Sequence, residues 1–145
     1  MKLLLALLSI SITLPSCKSF NPSGNKEQAA LVYARPIAFV TTKSVFDFAV
    51  SKEDKAKKAE IVRKIALVIR TLSAGDLPAP SEFNIKLTEA APDKDHWNTL
   101  VTALTQVYQG YHQQVIDGSM KRKYLSEILN KLASGCEDAA EAVLK

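Results

Sequence analysis

Cysteine, glycine and proline are scarce in this 145-residue chain, which carries two, five and six of them. Two cysteines build neither a disulfide-rich scaffold nor a four-thiolate zinc site. So little glycine and proline excludes collagenous and low-complexity architectures. Charge of one sign is also scarce: 19 Lys and Arg against 15 Asp and Glu leave only +4. A nucleic-acid binder of this size would concentrate more positive charge, so no nucleic-acid partner is expected. Beyond Leu14 the longest strongly apolar run is the five residues Ile65 to Ile69, far short of the ~20 a spanning helix needs. HExxH, GxSxG, Walker, GxGxxG and CxxC patterns are absent. The chain is therefore expected to be non-enzymatic, with no cofactor and no bound metal.

What is present begins at the N-terminus. Lys2 precedes an apolar stretch from Leu3 to Leu14. As a helix these dozen residues reach roughly 18 Å, too short for a hydrocarbon core of about 30 Å. A basic residue followed by a short apolar run is the pattern of a secretory signal peptide. The run closes in Leu14-Pro15-Ser16-Cys17. A cut after Thr13, with Ser11 third-last, is the competing reading for an ordinary signal. Under it Cys17 and Cys136 are both left as thiols able to pair.

The tetrapeptide Leu14-Pro15-Ser16-Cys17 resembles the lipobox of bacterial lipoprotein precursors, with Pro15 where Ala, Ser, Val or Thr is commoner. The resemblance covers about the first 17 residues. It implies cleavage between Ser16 and Cys17, a diacylglyceryl group on the Cys17 thiol, and acylation (palmitate or a similar chain) of the new amino terminus. Two or more acyl chains give stable membrane anchoring where one gives only marginal binding. The organisation expected is a signal peptide over 1–16, a lipidated cysteine and flexible tether over 17–25, and a helical domain over 26–145. Lys18 stands where enterobacterial lipoproteins retained at the inner membrane carry Asp. The resemblance thus implies a lipid-anchored protein of the outer membrane, facing the periplasm. The later helical part is loosely similar to small helical lipoproteins of bacterial and prophage origin, a group without an established activity.

From Lys26 onward the spacing is helical. Pro36 either opens a helix or kinks one already begun. Beyond it Ile37, Val40, Thr41, Ser44, Val45 and Phe48 fall at 3,4 spacing, with a strand over Ile37 to Thr42 as the alternative. Ser51 and Asp54 make a capping-box start for a helix that Gly75 closes as its C′ residue, with Ala59, Val62, Ile65, Ala66, Ile69 and Leu72 along one face. Asp76 to Pro80 is a connector, and Ser81 caps a short helix ended by Pro92. Asp93 precedes a long helix whose stripe runs Trp97, Leu100, Val101, Leu104, Val107, Tyr108, Tyr111 and Val115. Asp117-Gly118-Ser119 breaks it. The last helix lines up Leu125, Ile128, Leu129, Leu132, Cys136, Ala139, Ala140 and Val143. Gly135 is a point where it bends or splits, and Gly110 is a point where another helix comes close. The fold class expected is all-α, a small bundle of about four amphipathic helices after a cleaved signal peptide.

Few residues suggest chemistry. His96 and His112 lie sixteen apart on one helix, about 24 Å, and do not share a metal. Asp93, Asp95 and His96 read as first-turn residues meeting the helix dipole. Glu137, Asp138 and Glu141 read as an exposed acidic face rather than an opposed carboxylate pair. Cys136 on an apolar stripe reads as a small core residue. Six basic and three acidic residues between Lys52 and Lys64, and the cluster Lys121-Arg122-Lys123, read as solvated helix faces that touch anionic headgroups if both look toward the membrane. The function expected is a non-enzymatic interaction or structural module of the envelope, with the membrane and an envelope protein as partners. Two alternatives remain. One is a binding protein for lipid or another apolar small ligand, held between the Trp97, Tyr108, Tyr111 stripe and the Ile61 to Leu72 helix. The other is an exclusion or immunity lipoprotein of mobile-element origin.

Overall fold

The computed structural model describes residues 26–49, 54–91 and 94–145. The expected signal peptide over 1–16, with Ser16, and the expected tether over 17–25, with Cys17, lie outside the described residues, as do Ser51, Pro92 and Asp93. Among the described residues five helices follow one another: α1 over Lys26–Ala49, α2 over Lys55–Ala74, α3 over Pro80–Ala90, α4 over Lys94–Ile116 and α5 over Arg122–Ala142. Among the described residues there is no strand, so Ile37 to Thr42 is helical.

The centre of the bundle is α5. Leu125, Ile128, Leu129, Leu132, Ala133, Gly135, Cys136, Ala139 and Ala140 are all buried, a stripe at 3,4 spacing wide enough to serve two neighbours. Helix α1 packs on one side of it and α2 on the other. Cross-links fix the directions. The Lys121 N–H donates to Glu27 Oε1 at 3.2 Å and Thr42 Oγ1 donates to Cys136 Sγ at 3.4 Å, so α1 runs parallel to α5. Ser73 Oγ meets Asn130 Oδ1 at 3.0 Å and Arg70 Nη2 meets Ser134 Oγ at 3.0 Å, so α2 runs antiparallel. Each fully buried leucine or isoleucine of this core contributes roughly 1.5–3 kcal/mol.

The face that α1 buries differs from the expected one. Ala30, Ala34, Ala38, Thr42, Val45 and Phe46 are inside. Of the expected stripe only Val45 is buried, whereas Val40 is 51% and Phe48 64% exposed. The reason lies on α5. A Cβ built at Gly135 would strike the Arg35 carbonyl oxygen, and it would lie 2.8 Å from Ala38 Cβ and 2.9 Å from Phe39 N. The two backbones meet at this point, so α1 must turn its alanine ridge inward. Gly135 does not split α5, which continues through it to Ala142. At Gly110, by contrast, an added Cβ would meet nothing within 4 Å, so no helix approaches there.

Pro36 sits within a continuous α1. Proline lacks the N–H that would bond the Val32 carbonyl. Val32 and Pro36 are both exposed, so water can serve that carbonyl and the helix persists. Gly75 ends α2 in an extended conformation (φ −102°, ψ −155°), not the left-handed one of a C′ glycine. The left-handed glycine is Gly118, at φ 80°. In that turn Met120 N–H reaches back to Gln114 O at 2.9 Å, and Ser119 donates to Asp117 Oδ1 through N–H and Oγ at 2.9 and 2.6 Å. Helix α3 opens with Pro80 at its first turn, one residue before the expected cap Ser81.

Candidate functional site

The three carboxylates of α5 singled out by sequence are held in structural pairs. Glu137 accepts from Arg70 of α2 through Nη2 at 2.6 Å and Nε at 3.1 Å. Asp138, one residue on and so turned toward α1, accepts from Arg35 Nε at 2.6 Å and Nη2 at 3.0 Å. Glu141 pairs with Lys145 at 2.8 Å. Two-point Arg–carboxylate geometry fixes orientation, so α5 is pinned to both neighbours at one level. The Arg35 guanidinium holds the Asp138 carboxyl below its ordinary value through hydrogen bonding and charge. Arg35 and Arg70 are the partners that sequence alone could not supply, because they lie 103 and 67 residues from the carboxylates they meet.

Cys136 is fully buried against Thr42. Burial pushes its thiol up to about 11 despite the hydrogen bond from Thr42, which leaves it protonated and shielded. Tyr108 is also fully buried. Its hydroxyl donates to the Pro78 carbonyl at 2.6 Å and its ring stacks on Phe83 at 4.2 Å. Desolvation pushes that phenol up to about 12. Helix α3 packs against both α2 and α4, and its Phe83 and Leu87 are fully buried. These side chains occupy core between the two helices that the apolar-ligand alternative would use. Trp97 packs edge-on to Phe46 at 5.8 Å, and its buried Nε1 finds no acceptor among the described residues. His112 is half-buried, its ring 5.5 Å from Tyr108. The side chains of Asp95 and His96 lie outside the described residues.

The basic clusters separate. Lys121, Arg122 and Lys123 are exposed at the start of α5, beside Glu27 and hence at the end where the chain enters α1. Arg122 also ties the α2–α3 connector through Asp76 at 3.0 Å. Because α2 is antiparallel to α5, its Lys55 to Lys64 half lies at the other end, about 30 Å away along a helix of this length. The two clusters therefore do not share one end of the bundle.

No group of three or more His, Cys, Asp or Glu among the described residues is placed to hold a metal. No described helix is long and apolar enough to cross a membrane. A shallow hollow of about 320 Å³ lies between Arg35, Pro36, Phe39, Val40 and Asp138. Around it, the outward side of α1 exposes Val32 (67%), Tyr33 (40%) and Val40. Comparison of the chain with protein-family models, curated proteins and solved structures gives no match.

Proposed function

We propose that the chain is the precursor of a lipid-anchored bacterial envelope lipoprotein, whose helical domain serves as a non-enzymatic interaction module on the periplasmic side of the outer membrane. The observation that carries this reading is Cys17 directly behind a short apolar run, in the sequence Leu14-Pro15-Ser16-Cys17. The polar stretch Lys18 to Asn25 supports it. Eight such residues span roughly 16 Å as a coil, so a domain starting at α1 is held close to the bilayer. Two or three acyl chains on Cys17 would make the attachment stable.

The test is the intact mass of protein extracted from membranes, wild type beside Cys17→Ala. The expected mass is that of residues 17–145 plus two or three acyl chains, with the acylation lost in the variant. An unacylated wild-type mass, cut elsewhere, refutes the anchor. Crosslinking in intact cells followed by detergent extraction reads the module: discrete envelope partners are expected, and a partnerless monomer with a defined turnover activity refutes it.

A further inference from the structure

We propose that the outward face of α1 lies against the bilayer to which the chain is anchored, an inference that rests on the lipidation of Cys17 proposed above. Residues 28–42 contain one charge, Arg35, and that charge is turned aside to Asp138. With Ala30, Ala34 and Ala38 committed to the core, the opposite side of the same turns carries Val32, Tyr33, Pro36 and Val40, all exposed. An α-helix apolar on both sides has two apolar surroundings to satisfy. The bundle supplies one of them.

Two observations select the bilayer as the second. The face belongs to the helix that directly follows the tether, so an anchor at Cys17 keeps it within about 16 Å of the membrane at high effective concentration. Its exposed side chains amount to on the order of 300 Å² of apolar surface, well short of the ~800 Å² per partner of a stable dimer, while a bilayer interface accepts a helix face of any length. The domain then rests on its α1 side. The exposed surface of α2, including Leu67, is presented away from the anchor helix.

The experiment uses the processed full-length protein in vesicles of phosphatidylethanolamine and phosphatidylglycerol at 3:1. Val40→Cys and Val32→Cys are each labelled with an environment-sensitive fluorophore, and Leu67→Cys is the comparator. Cys136 is fully buried and an acylated Cys17 carries no thiol, so the label goes to the introduced position. Nitroxide-bearing lipids are expected to quench the labels at 32 and 40 several-fold more strongly than the label at 67. Equal quenching at all three sites, with the acylated mass intact, overturns the inference and leaves the anchor standing. Labels at 32 and 40 that are shielded from nitroxide lipid and self-quench with rising protein density also overturn it, because a second copy then covers the face. An unacylated mass identifies failure of the lipoprotein reading itself, and the inference falls with it.

Discussion

Replacing Gly135 with alanine sets two principles of opposite sign against each other. Alanine is the better helix former by about 1 kcal/mol, so a glycine in mid-helix would normally be improved. Here the added methyl would strike the Arg35 carbonyl oxygen and crowd Ala38 Cβ at 2.8 Å and Phe39 N at 2.9 Å. Two of these three atoms are backbone, so no rotamer change relieves the contact and α1 must be pushed off α5. Overpacking of this kind costs about 1–3 kcal/mol, and contact with backbone belongs at the upper end. The net expectation is a loss of about 2 kcal/mol, or roughly 8 °C in Tm at about 4 °C per kcal/mol. Gly110→Ala is the internal control. Its Cβ would meet nothing within 4 Å, so the helix-propensity gain of about 1 kcal/mol should appear unopposed. Urea and thermal unfolding by circular dichroism on both variants give the two signs directly. A Gly135→Ala protein that is stabilised like Gly110→Ala would refute the close crossing of α1 and α5.

The other outcomes follow from burial and charge. Cys136 should resist alkylation in the native protein at pH 8 and react within minutes in 8 M urea, because burial raises its thiol to about 11; mass spectrometry after iodoacetamide reads the difference, and rapid native labelling would contradict the buried position. The Asp138 carboxyl is held below its ordinary value by Arg35, so its contribution is present above the unfolded aspartate pKa of about 3.9 and is lost as pH falls through the lower folded value. Melting temperatures between pH 5 and 2 should therefore fall more steeply for wild type than for Arg35→Gln, and parallel curves would show that the pair does not couple to folding.

Much of the fold was legible in the chain itself. The 3,4 stripes of α2, α4 and α5 identify their buried faces because each carries most of its large apolar residues on one side, with Leu67 and Ile116 as exposed exceptions. Leu125, Ile128, Leu129 and Leu132 are where that spacing puts them, and Asp117-Gly118-Ser119 ends α4 through a glycine in the left-handed region. The lipobox-like tetrapeptide is likewise local, since four consecutive residues and the apolar run before them carry the whole signal. Helix α1 is different. Between residues 28 and 42 it carries a single charge, so periodicity has little contrast from which to choose a face, and the spacing of Val40 and Phe48 points to the wrong one.

Only the tertiary structure decides which side of α1 is core. A glycine ninety-odd residues away admits alanines and excludes larger side chains. The same holds for the partners of Glu137 and Asp138, and for the separation of the two basic clusters to opposite ends of α5. These are consequences of helix direction and contact distance between segments far apart in the chain. Sequence determined the helices because short-range spacing specifies them. It left open the apolar face on α1 because packing on α5 is what turns Val32, Tyr33 and Val40 outward.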